Sequence, residues 1–183
     1  CETAPLILAH TRSKRHDYAC GDQVCYQPLG PNEGVIEALL PRTTLLYRAD
    51  AVRQKLVAAN VDLLVWVTAV TPPFAPELLT RALVAAEAQG IAALIVLNKC
   101  DLTEGVAATQ AQLAPFAAAG YPILPLSAHQ SVAPLAERLT GRHAVLMGQS
   151  GMGKSTLINA LIPSAQARTG EISRALGSGR HTT

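Results

Sequence analysis

Over the C-terminal two thirds of the chain, apolar residues fall in short unbroken blocks, and the stretches between them repeat an apolar position every three or four residues. The blocks predict buried strands at Val61 to Val70, Ala92 to Leu97, Pro122 to Leu126 and His143 to Met147. The intervening stretches predict helices at Pro76 to Gln89 closed by Gly90, Glu104 to Ala119 closed by Gly120, Val132 to Thr140, and Gly153 to Leu161. Strands that are apolar throughout need cover on both faces, and crossover helices between them make the sheet parallel. The expectation is an α/β domain whose ligands bind at the carboxyl ends of its strands.

The N-terminal part is patterned differently. Up to about Tyr47 it carries short β-like pieces, including Gln23 to Tyr26 and Gly34 to Leu39, broken by Gly21-Asp22, Pro28 and Gly30-Pro-Asn32. We expect a small β-domain over residues 1–47, a polar linker over 48–57 and the α/β domain over 58–183.

Composition narrows the class. With 183 residues, 49% of them hydrophobic, and a net charge of +2, the chain can bury a core and has no wholly basic coat for nucleic acid. The local run His10-Thr-Arg-Ser-Lys-Arg-His16 suits either phosphate contacts or a solvated loop. No apolar block approaches the roughly 20 residues that span a bilayer, and no secretory signal is recognisable at the N-terminus. The expectation is a cytoplasmic protein that does not engage membranes, and a monomer. Cys1, Cys20, Cys25 and Cys100 form no CxxC pair and no zinc set, so separate reduced thiols are expected.

Two motifs fall at predicted strand ends. Gly148-Gln-Ser-Gly-Met-Gly-Lys-Ser155 fits GxxxxGK[ST] and lies between an apolar strand and an amphipathic helix, the context a phosphate loop requires. In such a loop, backbone N–H groups of Gly148, Gln149, Ser150, Gly151, Met152 and Gly153 surround a polyphosphate and Lys154 neutralises it. The Ser155 hydroxyl is then placed for Mg²⁺ and Thr156 for the α phosphate. Asn98-Lys-Cys-Asp101 follows another apolar strand and fits NKxD. An ionised Asp101 can accept the adjacent N1–H and N2–H of guanine, which adenine does not offer; the stem of Lys99 can cover the base, and Asn98 can bridge to neighbouring loops. An Asn-Lys turn ending in an aspartate helix cap is the alternative for this short motif. Ser127-Ala128, after a third strand, can present a backbone N–H to guanine O6. Lys99 and Lys154 are two of only four lysines in the chain.

The order of these elements is permuted relative to Ras-like GTPases, because Asp101 and Ser127 precede Gly148 and no GK[ST] lies upstream of Asn98. With Cys20-Gly-Asp-Gln-Val24, Gly34-Val-Ile-Glu37, Ala59-Asn-Val-Asp62 and Gly179-Arg-His-Thr-Thr183, the chain resembles the ribosome small-subunit-dependent GTPases, the RsgA or YjeQ family. The resemblance implies a circularly permuted P-loop GTPase domain preceded by a partial OB-type β-barrel, with a C-terminal zinc-binding domain outside this sequence. It implies GTP as substrate, GDP as product, Mg²⁺ as cofactor, and the small ribosomal subunit and its rRNA as partners in late subunit maturation. It also places the start of a switch at Gly179 to Thr183, with Thr182 or Thr183 on Mg²⁺, and His181 either near the attacking water or as an exposed loop histidine. No DxxG segment follows the phosphate loop within the 183 residues, so parts of a longer protein are expected to be missing, and hydrolysis is expected from the longer protein. A GTP-switched RNA-binding assembly module with little hydrolysis of its own is the alternative. A P-loop kinase is disfavoured, since NKxD has no role in that chemistry.

Overall fold

The structure, a computed structural model, describes residues 6–12, 18–49 and 54–165. The chain divides into two compact units, Cys1–Val61 and Asp62–Thr183.

The first unit is built of strands. β1 (Leu8–Thr11), β2 (Val24–Gly30) and β3 (Glu33–Leu39) form a sheet in the order β1-β3-β2, and β4 (Leu45–Ala49) pairs antiparallel with β5 (Gln54–Ala59). The stretch expected as a linker, residues 48–57, therefore carries the ends of two paired strands, and the boundary between units falls after Val61 rather than across residues 48–57. Its polar residues mislead because a strand with one covered face shows polar positions to water: Lys55 is exposed, whereas Leu46, Ala58 and Ala59 are buried. Beside this hairpin Asp22 accepts Arg42 Nε at 2.7 Å and the Ala19 N–H at 2.7 Å, with a second guanidinium nitrogen at 2.8 Å. Of the basic run from His10, the described residues end at Arg12, which bonds Gln27 and lies 3.5 Å from Glu37.

The second unit matches the predicted alternation closely. Strands β6 (Leu63–Ala69), β7 (Ala92–Asn98), β8 (Ile123–Pro125) and β9 (Ala144–Met147) form one sheet in the order β8-β7-β6-β9, every pair parallel. All seven residues of β6 are buried, so both faces of this strand are covered. The connecting helices are α1 (Pro76–Glu87), α2 (Val106–Ala118), α3 (Ala133–Leu139) and α4 (Lys154–Leu161). Each contributes leucines to one core with the strands: Leu79 and Leu83, Leu113, Leu135 and Leu157. Pro76 starts α1, where a missing N–H costs nothing. Because the sheet is parallel, the carboxyl ends of β7, β8 and β9 emerge on one side, whatever their order along the chain.

Candidate functional site

The phosphate loop leaves β9 one residue after Met147. Gly148 has φ +145°, and a Cβ there would strike the Val67 carbonyl of the neighbouring strand, so only glycine lets the chain turn this close to β6. Met152 is buried to 1% exposure and roots the middle of the loop in the core. Lys154 opens α4, and its ammonium donates to the carbonyls of Gly148 (2.8 Å) and Gln149 (2.5 Å). Burial holds that ammonium below its usual pKa. Ser155 and Thr156 are half-buried on the first turn of α4, and Ser150 is exposed at the loop's tip.

The base motif meets this loop directly. Asn98, the last residue of β7, is 1% exposed; its Nδ2 donates to the Met152 carbonyl at 3.0 Å, and its Oδ1 accepts the Ala128 N–H at 3.1 Å. One carboxamide thus joins all three candidate elements. Gly153 is the price of this proximity: its φ is +89° and a Cβ would lie against Asn98 Nδ2. Lys99, with φ +63°, sends its ammonium to the carbonyls of Thr71 and Gly151, each at 2.8 Å. Cys100, the free position of the motif, donates its N–H to the Leu126 carbonyl, and burial pushes its thiol up from the ordinary value.

Asp101 is exposed, with its carboxyl unblocked by any cation in direct contact among the described residues. A hydrogen bond from the Ser127 hydroxyl holds this carboxyl below the usual carboxylate range, and the charges of His129 and Lys99 act in the same direction. Ser127 is itself 4% exposed and accepts the His129 N–H at 3.3 Å. The arrangement offers an ionised acceptor to a pair of N–H donors, beside a glycine-rich loop and a helix start that suit an anion.

The structure therefore brings together Asn98, Lys99, Asp101, Ser127, Ala128 and the loop from Gly148 to Thr156. His181, Thr182 and Thr183 lie outside the described residues. Sequence reasoning missed Thr71 and Ala75, which act through the backbone: Thr71 O accepts Lys99, and Ala75 N–H donates to Gln149 Oε1 at 2.6 Å. No side-chain signal marks such contacts. His129 was missed as well, although its position two residues beyond Ser127 is a cue to look there. Among the described residues no cluster of three or more His, Cys, Asp or Glu side chains suits a metal, and no helix is long and apolar enough to cross a membrane.

The RsgA GTPase family model matches residues 39–183. The chain is 53% identical over 175 residues to the small ribosomal subunit biogenesis GTPase RsgA of Neisseria meningitidis serogroup C (strain 053442), covering 96% of this chain and 57% of that protein. It is 52% identical over 175 residues to the protein of the same name from Nitrosomonas europaea, covering 94% and 56%. Among solved structures, YjeQ from Thermotoga maritima superposes with a TM-score of 0.68 at 31% identity, over 90% of this chain and 59% of that one. YloQ, described as a circularly permuted GTPase, gives 0.59 at 30% identity, over 87% and 56%. The chain spans somewhat more than half the length of these relatives. Its α/β sheet is that of the circularly permuted GTPases, and the chain belongs to the RsgA GTPase family.

Proposed function

We propose that the protein binds GTP at the ends of β7, β8 and β9, hydrolyses it to GDP and phosphate, and acts in late maturation of the small (30S) ribosomal subunit. The observation that supports this reading is the pair of hydrogen bonds made by the Asn98 carboxamide, which join the base motif to the phosphate loop and to Ala128. Asp101 accepts the guanine N1–H and N2–H, the Ala128 region faces O6, and Lys99 covers the ring with its stem. Lys154 exchanges the carbonyls of Gly148 and Gln149 for the β and γ phosphates. Such an exchange restores a full anionic partner to an ammonium that burial disfavours.

Mg²⁺ fits this donor set. The ion keeps most of its waters and takes substrate phosphates plus one or two protein oxygens, so the half-buried Ser155 hydroxyl on the first turn of α4 suffices without a carboxylate cage. When bound it neutralises developing phosphate charge. Thr182 or Thr183 belongs to the same proposal as a further ligand, and His181 as a group near the attacking water. The β-unit is read as a partial OB-type barrel, the cellular location as cytoplasmic, the protein as a monomer, and zinc as confined to a further domain beyond this sequence.

Phosphoryl transfer depends on positioning and charge neutralisation, and completing a site of this type in trans raises rates by about 10³ to 10⁵. The small subunit and its rRNA are proposed to supply that completion. The test is GTP turnover by the full-length protein with and without purified small subunits. Stimulation supports the ribosomal role; an unchanged rate removes it while leaving the nucleotide site standing.

A further inference from the structure

The loop at residues 70–75, between β6 and α1, belongs to none of the sequence motifs yet is bonded to them at three points. The Val70 N–H donates to the Asn98 carbonyl at 3.2 Å, Thr71 O accepts Lys99 Nζ, and the Ala75 N–H donates to Gln149 Oε1. Lys99 simultaneously holds Gly151 O. The phosphate loop is thus gripped at Gln149 and at Gly151, and both grips lead back to the same six residues.

Helix capping explains why Gln149 is the partner. Ala75 is the N-cap of α1, extended at φ −94° and ψ 112°, with no side chain able to cap. In a capping box a Glu or Gln at the third helical position returns to the N-cap N–H. That position here is Leu78, which is exposed and carries no acceptor. Gln149, 74 positions further along the chain, supplies the acceptor instead. The main-chain carbonyl of the same residue receives Lys154. Side chain and main chain of Gln149 therefore connect the start of α1 to the lysine of the phosphate loop.

We infer that Gln149 is a positioning residue: its bond to the Ala75 N–H holds the phosphate loop in the shape that accepts a β phosphate, and so sets affinity for di- and triphosphates. This rests on the guanine nucleotide reading above. Loss of the acceptor releases the loop's first turn and leaves the base motif, held by Asn98, in place.

The test measures binding of a fluorescent GDP analogue to the full chain with Mg²⁺, and competition by GDP and by GMP. Two variants remove the bond from opposite sides: Gln149→Met deletes the acceptor at similar size, and Ala75→Pro deletes the donor. Emission of the single tryptophan, Trp66, buried in β6, reports that each variant is folded. The expected result is a roughly tenfold loss of GDP affinity in either variant, about the worth of one well-made hydrogen bond, with little change for GMP. The double variant should lose no more than either single one, because both remove the same contact. Equal loss for GMP and GDP, additive losses, or no loss would overturn the inference while leaving the guanine site intact. Failure of the wild-type chain to bind GDP would remove the functional reading itself. Should one variant not fold, the other carries the comparison of GDP with GMP.

Discussion

Asp101 and Gly153 show how single residues divide the work of the site. Asp101 contributes an acceptor that suits guanine, and exchange to Asn replaces half of that acceptor with a donor. Asp101→Asn should therefore shift preference from guanine to xanthine nucleotides, measured by competitive binding; unchanged selectivity would remove the base assignment. The carboxyl must be ionised to accept two N–H donors. Since the Ser127 hydrogen bond holds its pKa below the ordinary carboxylate value, guanine binding should be full above that value and be lost as pH falls through the lowered one. In Ser127→Ala that loss should begin at higher pH, which a titration of GDP affinity in acid will detect. Gly153 has a different duty. Its φ of +89° and its closeness to Asn98 leave no room for a methyl, so Gly153→Ala should cost on the order of 1–3 kcal/mol in stability. It should also abolish tight nucleotide binding, because the motif and the loop can no longer approach; thermal melting with and without GDP separates the two effects.

At the scale of elements, the β-unit is held by polar as well as apolar contacts. The Asp22 side chain is 4% exposed, and its two oxygens take the Arg42 guanidinium in paired bonds at 2.7 and 2.8 Å. The Arg42 hydrogen bond is the main reason its carboxyl lies below the ordinary carboxylate value. A depressed folded-state pKa means that the stabilisation is full above the unfolded value and is lost as pH falls through the folded one. Arg42→Met should weaken the unit by about 2 kcal/mol near neutrality, and the deficit should shrink in acid as Asp22 protonates in both proteins. Amide hydrogen exchange in β2 and β3 is the measurement; equal protection in the two proteins at neutral pH would refute the role. The same unit shows where sequence patterning failed. Residues 48–57 were expected as a linker because Arg48, Asp50, Arg53 and Lys55 dominate the stretch, yet Arg48 and Lys55 pair across a hairpin. A strand that turns a charged residue such as Lys55 to water has the same composition as a linker, and the pairing that distinguishes the two is made with another strand.

For the whole molecule, nucleotide binding and folding of the second unit should be linked. Ligand that binds only the folded form at a hundred times its dissociation constant stabilises it by about 2.7 kcal/mol. Unfolding followed by Trp66 emission should move to higher temperature with GDP and Mg²⁺, and adenine nucleotides should leave it unmoved. Much of this unit was legible beforehand. Unbroken apolar runs such as Leu94 to Leu97 suit a strand covered on both faces, and the glycines of the phosphate loop suit a backbone that can wrap an anion, so strands, crossover helices and both motifs could be read from local residue chemistry. What such chemistry does not contain is which strand lies beside which. The order β8-β7-β6-β9 brings residues 128 and 152 each within hydrogen-bond reach of Asn98, and it turns Gln149 onto Ala75. Each of those contacts sets a side-chain amide, of Asn98 or Gln149, against a backbone N–H or carbonyl of Ala128, Met152 or Ala75. The amide of Asn98 is legible in its motif, but no residue type announces the backbone partner, which is met only once the sheet has assembled.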